Sequence, residues 1–440
     1  MNNRDTAEHI FLAGIRGVLP GTIIHDLFSV RGSILKIGYH SFDLGKFEHI
    51  YIIGAGKASA ALGHYAGTFL GSRITGGYIV TKYGYYCMLD RIHVSEAGHP
   101  VPDENSFAAA EEIKKIAGSA GENDLVICIW SGGGSALMAD HPDGSSPTEM
   151  MFLNDILVRC GATIHEINVV RRHLSQVKGG LLSRHIWPAT CVTLYLSDVI
   201  GDQPETVASG PTSPDNSTYA DALNVIRKYG LTDDVPASLL KYLEEGTQGL
   251  HPDLPKSGDQ VFSRSVTILA GNNRNALQAS RREAEKMGFS AIIIPDTLTG
   301  ESGDACTFII NTIHKYRENR SLNKPICLLF GGETTVRVAG DGIGGRNQHL
   351  ALQMAMKIQD IPGITFLAAG TDGNDGTGDM AGAVVDSETI HDALSMNADP
   401  GRYLENFDSY NFFRNVGGHV FTGPTMTNVM DIAVAIIEQE

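Results

Sequence analysis

The chain has 440 residues, of which 42% are hydrophobic and 19% charged, proportions typical of a well-packed globular enzyme and not of a disordered chain. Its 34 lysines and arginines against 50 aspartates and glutamates give a net charge of −16, which argues against nucleic acids and anionic membranes as partners. The length exceeds what one hydrophobic core serves and predicts two domains, residues 1–250 and 251–440.

The cysteines and the N-terminus favour a cytoplasmic protein. The six cysteines include no Cys-x-x-Cys pair, and Cys128, Cys191 and Cys327 lie in apolar, strand-like runs where reduced thiols are commonly buried. The first residues lead into an amphipathic helix, predicted to begin at Asp5 and to end before Pro20, and they lack the apolar core of a signal peptide. No apolar run is long enough to span a membrane.

A strand is predicted at residues 50–53, and a glycine-rich turn follows it. The turn is Gly54-Ala55-Gly56-Lys57, and a helix of small residues comes after it. Because phosphate groups bind readily at a glycine-lined helix N-terminus, Gly54, Gly56 and Lys57 are candidate phosphate-binding residues. A solvated lysine at the start of a helix is an equally good interpretation of Lys57.

Two familiar nucleotide-binding motifs are absent from this turn. The dinucleotide fingerprint needs a third glycine where Ser59 stands and an acid at the end of the next strand, which instead ends in Lys82. The P-loop needs Ser or Thr directly after its Gly-Lys pair, where Ala58 stands. The turn therefore matches neither a nicotinamide site nor a Walker loop.

The apolar run 125–130 predicts a strand that is buried on both faces of a parallel sheet. The loop Ser131-Gly132-Gly133-Gly134-Ser135 follows at once. Because the glycines have no Cβ, successive N–H groups can turn inward as an anion-binding nest, and the two serines add hydroxyl donors. A phosphate or carboxylate site is the favoured interpretation, and a plain strand-exit turn is the alternative.

A basic cluster lies within residues 147–187, which are predicted to be helical. Arg171 and Lys178 are seven residues apart and would therefore share one helix face. A solvated face explains part of this cluster. In so acidic a chain, a face directed at an anionic ligand explains it better.

The strand 191–196 ends in a turn that contains Asp198 and Asp202. Two carboxylates just after a strand suit Mg²⁺ that is held through carboxylate and phosphate oxygens. A simple turn cap is the alternative for Asp202. A further tight loop follows at residues 209–212.

The second half begins after a predicted linker at residues 246–260 and again alternates strands with helices. Its strand ends also combine glycines with charged or amide side chains. The candidate site residues of this half are Glu333, Arg346, Asn347 and Asp372. A calcium loop that starts at Asp372 is excluded, because Ala383 stands where the EF-hand pattern needs Glu.

Strand ends of both halves should face a common ligand. This predicts an α/β fold of two αβ domains, the first with a Rossmann-like parallel sheet, and an active site in the cleft between them. The chain has no Gly-x-Ser-x-Gly elbow, because Leu137 stands where the second glycine would be, and no zinc motif. Phosphoryl transfer needs phosphate donors, cations and metal-binding carboxylates, and the candidates fit that reaction class.

Together these motifs resemble those of the class II glycerate kinases, also called the MOFRL family. The matching segments are residues 54–58, 98–103, 131–137, 171–180, 196–202, 209–212, 331–335, 344–347 and 370–373. They run in order along nearly the whole chain. The resemblance implies an ATP- and Mg²⁺-dependent kinase that converts D-glycerate to 2-phosphoglycerate, with a C-terminal MOFRL-type α/β domain and an inter-domain active site. It also implies that Lys57 and Arg346 are the catalytic pair.

Two positions depart from the family pattern. His349 stands where many members carry Glu, and Thr377-Gly378 replaces a usual Pro-Thr before Asp379. We interpret both as variation around the reacting groups. The second departure weakens Asp379 as a metal ligand.

The resulting mechanism hypothesis divides the candidates by role. The loop 131–135 would bind an anionic group of ATP or glycerate, and Lys57 with Arg346 would stabilise charge on the transferring phosphoryl group. The metal candidates are Asp198, Asp202, Glu333 and Asp372, of which Asp198 is also the candidate base for the glycerate hydroxyl.

Two other functions stay open at this point. A hydroxypyruvate reductase, a label sometimes attached to relatives of the family, is disfavoured by the missing third glycine and ribose-binding acid. A non-catalytic phosphosugar-binding protein would need the glycine loop but not the acids. Small molecules are the expected partners, and a homodimer is compatible with the sequence.

Overall fold

A computed structural model describes residues 2–318 and 324–438. Its helices are α1 (Asn3–Gly17), α2 (Pro20–Leu27), α3 (Ser59–Leu70), α4 (Glu104–Ser119), α5 (Gly134–Leu137), α6 (Pro147–Arg159), α7 (Ile164–His173), α8 (Leu181–Ile186), α9 (Tyr219–Lys228), α10 (Ala237–Thr247), α11 (Asn273–Lys286), α12 (Ser302–Arg317), α13 (Arg346–Ile358), α14 (Thr389–Ser395), α15 (Pro400–Glu405) and α16 (Ser409–Val416). Its strands are β1 (Phe28–Arg31), β2 (Ile34–Ile37), β3 (His40–Asp43), β4 (His49–Ala55), β5 (Gly76–Lys82), β6 (His93–Ala97), β7 (Asp124–Trp130), β8 (Thr190–Leu196), β9 (Ser265–Gly271), β10 (Ser290–Ile293), β11 (Ile326–Gly332), β12 (Ile364–Gly370), β13 (Gly382–Asp386), β14 (His419–Val420) and β15 (Asp431–Ile437).

The chain forms two compact units, residues 23–270 and residues 1–22 with 271–440. The first unit extends past the expected boundary after residue 250 because β9 joins its sheet. The N-terminal helix belongs to the second unit. Helix α1 packs along α11, where Gly14 leaves room for Ser280, whose Oγ donates to the Ile10 carbonyl at 3.0 Å. Contacts so distant along the chain leave no local signal in the sequence.

Helix α1 is capped by the Asn2 side chain, which accepts from the Asp5 N–H at 2.8 Å. Pro20, expected to end this helix, instead begins α2. Among the described residues no single helix is long and apolar enough to cross a bilayer, and only α1 and α2 together, bent by 49°, meet that criterion.

The unit of residues 23–270 is built on a sheet with the strand order β6-β5-β4-β7-β8-β9. Parallel pairing joins β4 to β5 and β7, β5 to β6, and β7 to β8. All of β7 is buried, as expected for an interior strand. The chain runs from β4 outward to β6 and returns as β7 on the other side of β4. Ligands bind at such a reversal of strand order, next to the carboxyl ends of the strands.

The other unit contains a mixed sheet with the order β10-β11-β15-β12-β13-β14. Strand β15 runs antiparallel to both neighbours, β11 and β12. Asp431, its first residue, therefore lies opposite Gly332 and Gly370, the last residues of those neighbours. This register places a carboxylate between two strand ends that carry loops.

Candidate functional site

In the unit of residues 23–270, the loops after β4 and β7 lie side by side because Ala55 is paired with Trp130 at the ends of these strands. The Lys57 N–H donates to the Gly132 carbonyl at 3.0 Å. The Ser131 Oγ accepts from the Ala58 N–H at 3.0 Å. These bonds fix Lys57 beside the glycine loop that the sequence predicts as an anion site.

The loop of residues 131–135, called here the glycine nest, has no room for side chains at its centre. A Cβ at Gly132 would collide with the Asp198 carboxylate. A Cβ at Gly133, where φ is +83°, would lie 2.8 Å from His99 Cδ2 and 3.6 Å from Lys57 Cγ. Lys57, His99 and Asp198 thus surround the nest, and the structure brings two predicted catalytic candidates together with the predicted loop.

The backbone of the nest is suited to anions. Among the described residues, no backbone carbonyl accepts from the N–H groups of Gly132 and Gly133. Consecutive N–H groups of a glycine loop that are not used in backbone pairing form the concave donor set that phosphate and carboxylate oxygens occupy.

A second loop closes the nest from the side of Ser135. The Ser135 and Ser209 Oγ atoms are 2.9 Å apart, and Ser209 also donates to Asn168 Oδ1 at 3.4 Å. Ala208 and Ser209 both have positive φ, 52° and 61°, a strained conformation for residues with a Cβ. The sequence marked 209–212 only as a tight loop and gave no signal for Asn168.

A cavity of about 640 Å³ lies beside the nest in the same unit. It is lined by His99, Pro100, Val101, Pro102, Phe107, Gly133, Ser135, Ala136, Ala139, Asp140, Met150, Met151, Asn154, Asp155, Val158, Arg171 and Lys178. Both members of the predicted basic pair are therefore part of its wall.

Arg171 and Lys178 line the same cavity, but they do not lie on one helix as the sequence predicted. Residues 147–187 form separate helices, and α7 ends at His173, so the two side chains share no helix face and that prediction is wrong. The chain leaves the helix and turns back, which brings both residues to one cavity wall.

The two cations have different surroundings. Arg171 Nε donates to Asn154 Oδ1 at 2.6 Å, and no carboxylate among the described residues pairs with this guanidinium, whose pKa burial lowers. The buried Lys178 Nζ donates to the Met138 carbonyl at 2.8 Å and to Asp140 Oδ1 at 2.9 Å. The charge of Lys178 is thus matched inside the protein, whereas Arg171 is suited to an external anion.

In the unit of residues 1–22 and 271–440, Arg346 is the first residue of α13. Its Nε and Nη2 donate to the two Asp431 oxygens at 2.6 and 2.9 Å, and its Nη1 lies 2.8 Å from Glu333 Oε1. We call these three residues the arginine network. Burial lowers the pKa of Arg346, but the hydrogen bond and charge of Asp431 and the charge of Glu333 outweigh it and raise the pKa.

Asn347 is occupied with a buried carboxylate that the sequence did not single out. Asp375 accepts from the N–H groups of Asn347 and Gln348 at 3.0 and 2.8 Å and from their side-chain amides at 3.2 and 3.1 Å. Burial, aided by the charge of Asp431, raises the pKa of Asp375 to about 6 against these hydrogen bonds. Asp375 thereby fixes the start of the helix that carries Arg346.

The carboxylates predicted as metal ligands divide between the two units. Asp198 and Asp202 follow β8, whereas Glu333 belongs to the arginine network and Asp372 accepts from the Asn374 N–H at 3.1 Å. The described residues contain no group of three His, Cys, Asp or Glu side chains placed to hold a metal ion. Mg²⁺ often uses only one or two carboxylates together with substrate phosphates, and Asp198 beside the nest fits that donor set.

Comparisons with known proteins show the family to which the chain is related. Residues 6–244 match the model of a domain of unknown function, DUF4147, and residues 326–431 match the MOFRL family. The chain is 40% identical to D-glycerate 2-kinase of Thermotoga maritima over 89% of this chain and 91% of that protein. It is also 40% identical to glycerate 2-kinase of Pyrococcus horikoshii, over 88% and 87% of the two chains.

The fold is also similar to that of a solved structure. A crystal structure of glycerate kinase from Thermotoga maritima superimposes with a TM-score of 0.87 at 37% identity, covering 99% of each chain. The fold and the two matched segments define a two-unit α/β protein of the DUF4147–MOFRL architecture. The chain belongs to the MOFRL-type glycerate kinase family.

Proposed function

We propose that this protein phosphorylates D-glycerate with ATP to give 2-phosphoglycerate and ADP. The observation that carries the proposal is the glycine nest with Lys57 and Asp198 around it, located where the strand order of a parallel sheet reverses. Phosphoryl transfer needs this combination of backbone donors, a cation and a carboxylate. The names of the 40% identical relatives supply the acceptor.

Binding of the anionic groups would use the backbone and one unmatched cation. The N–H groups of Gly132 and Gly133 face an oxygen of ATP or glycerate, with the Ser131 and Ser135 hydroxyls at the ends of the nest. Gly54 and Gly56 allow the turn after β4 to lie against Ile129 and Ser131, where a Cβ would collide. Arg171 adds positive potential at the cavity, whereas Lys178, whose charge is matched by Asp140, would position the cavity wall.

Charge developing on the transferring phosphoryl group would be stabilised by Lys57 and Arg346. Asp431 and Glu333 hold the Arg346 guanidinium on three of its nitrogens, so it needs no reorganisation when the reaction occurs. Asn347 supports this geometry by binding Asp375. Asp198 is the proposed acceptor of the proton of the glycerate hydroxyl, or a metal ligand.

Mg²⁺ is the proposed metal. The proposed ligands are Asp198, Asp202, Glu333 and Asp372. When bound, the ion would neutralise charge on the ATP phosphates.

The cellular setting is part of the same proposal. All six cysteines are free, which suits a reducing cytoplasm. The net charge of −16 suits small-molecule partners and disfavours nucleic acids and anionic membranes. A homodimer is the oligomeric state that we propose to test by light scattering.

The experiment that tests the function is a coupled assay of ADP release with ATP, Mg²⁺ and D-glycerate, combined with phosphorus NMR of the product. We expect ADP and a 2-phosphoglycerate signal in equal amounts. Absence of turnover, with oxidation of a nicotinamide cofactor by hydroxypyruvate, would contradict the proposal. A 3-phosphoglycerate signal would retain the kinase and change the position of transfer.

A further inference from the structure

The cavity beside the glycine nest has a largely apolar wall. Its apolar side chains include Val101, Phe107, Met150, Met151 and Val158. Two of them, Val101 and Val158, are 63% and 62% exposed, although apolar side chains gain nothing from contact with water. An exposed apolar wall in a concave site is typical of small-molecule binding.

The size and chemistry of this cavity do not match glycerate. Its volume of about 640 Å³ lies within the range of pockets for drug-sized ligands, whereas glycerate is a three-carbon acid. Each carbon of glycerate carries an oxygen, so it would gain little from methionine and valine side chains. A flat heterocyclic base would gain from them, because methionine adapts its shape to aromatic rings.

The position of the cavity relates it to the phosphate-binding loop. Gly133 and Ser135 belong both to the cavity wall and to the nest, so one ligand can extend from the apolar wall to the anion site. Arg171 lines the same wall, held by its 2.6 Å hydrogen bond to Asn154. A planar guanidinium fixed in this way can stack on an aromatic base.

We propose that this cavity is the nucleoside subsite of the kinase. The base lies against Met150, Met151 and Arg171, and the phosphate chain passes Ser135 to the glycine nest. The inference rests on the proposed kinase function and adds which part of which substrate the cavity binds.

The first test uses adenosine, which lacks phosphates and cannot react. Methyl NMR on protein labelled at the methionine methyl carbons, assigned with Met150→Leu and Met151→Leu, reports on this wall separately from the other ten of the 12 methionines. We expect adenosine to shift the Met150 and Met151 signals and D-glycerate to leave them unchanged. Shifts with D-glycerate and none with adenosine would overturn the proposal.

The second test separates the two substrates kinetically. Met151→Asn should raise the dissociation constant of adenosine and the KM for ATP by about ten-fold, because an apolar contact with the base is lost, and should leave the KM for D-glycerate unchanged. Phe152→Asn is the matched control, since Phe152 is the next residue of α6, is 49% exposed and does not line the cavity. A raised KM for D-glycerate alone would assign the cavity to glycerate.

Failure of the inference and failure of the proposed function give different results. Turnover of D-glycerate without any adenosine effect on Met150 or Met151 would overturn the subsite and leave the kinase intact. Adenosine binding at these methionines without turnover of D-glycerate would support the subsite and contradict the proposed acceptor.

Discussion

In the proposed mechanism, the glycine nest and the arginine network would bind negative charge in different ways. The nest uses backbone N–H groups that become accessible because Gly132 and Gly133 carry no side chain. The arginine network uses a side-chain cation whose orientation is fixed by Asp431 and Glu333. A substitution that adds side-chain atoms should therefore disturb the nest, whereas a substitution that removes hydrogen bonds should disturb the arginine network.

The largest expected effect comes from Lys57→Met, which removes the cation beside the nest and leaves the loop intact. We expect turnover to fall by about 10³-fold or more, since the charge on the transferring group loses its counter-charge. ADP release with D-glycerate measures this. Lys36→Met, at an exposed lysine of the same unit, is the control and should keep full activity. Normal turnover of Lys57→Met would reduce the nest to a binding site without catalysis.

Arg346→Lys tests whether geometry or charge matters in the arginine network. It keeps the positive charge but cannot bond both oxygens of Asp431 in a fixed plane, so we expect kcat to fall by about 10²-fold with little change in KM. Steady-state kinetics measures kcat and KM separately. Arg281→Lys, in an exposed pair with Glu285, should behave as wild type. Unchanged kcat in Arg346→Lys would show that charge alone suffices.

Asp375, the buried carboxylate at the start of α13, predicts a pH-dependent stability. The pKa of Asp375 is raised from the ordinary 3.8 to about 6, so between these values the folded state binds more protons than the unfolded state. This contribution to stability is present below pH 4 and is lost as pH rises through about 6, a change of about 3 kcal/mol in the free energy of unfolding. Urea unfolding at several pH values should show this slope, relative to Asp375→Asn, which lacks the titrating group. Parallel pH profiles of the two proteins would refute it.

The smallest effect is expected for Gly133→Ala in the nest. The substitution costs about 1 kcal/mol for φ of +83° and more for the 2.8 Å approach to His99. Gly144→Ala is a matched control, because φ is +84° there and nothing lies within 4 Å of the added Cβ. Urea unfolding of both variants isolates the His99 contact. Equal losses would mean that the nest accepts a side chain.

Local sequence patterns predicted most of the glycine nest but few of the residues that surround Arg346. The nest follows from an apolar run and three adjacent glycines, and Lys57 from a second glycine turn. Asp431 and Asp375 gave no such signal, because they reach Arg346 only through strand pairing and loop contacts distant in sequence. The shared helix face of Arg171 and Lys178 was wrong because the helix ends between them.

The placement of β15 has a consequence for biosynthesis. This strand is hydrogen-bonded on both sides within its sheet, and the unit that contains it also uses the first 22 residues. Residues 23–270 emerge from the ribosome long before residue 437 and can assemble first. The unit that carries Arg346 can close only afterwards, because a chain that ends before β15 lacks Asp431, the carboxylate that orients Arg346.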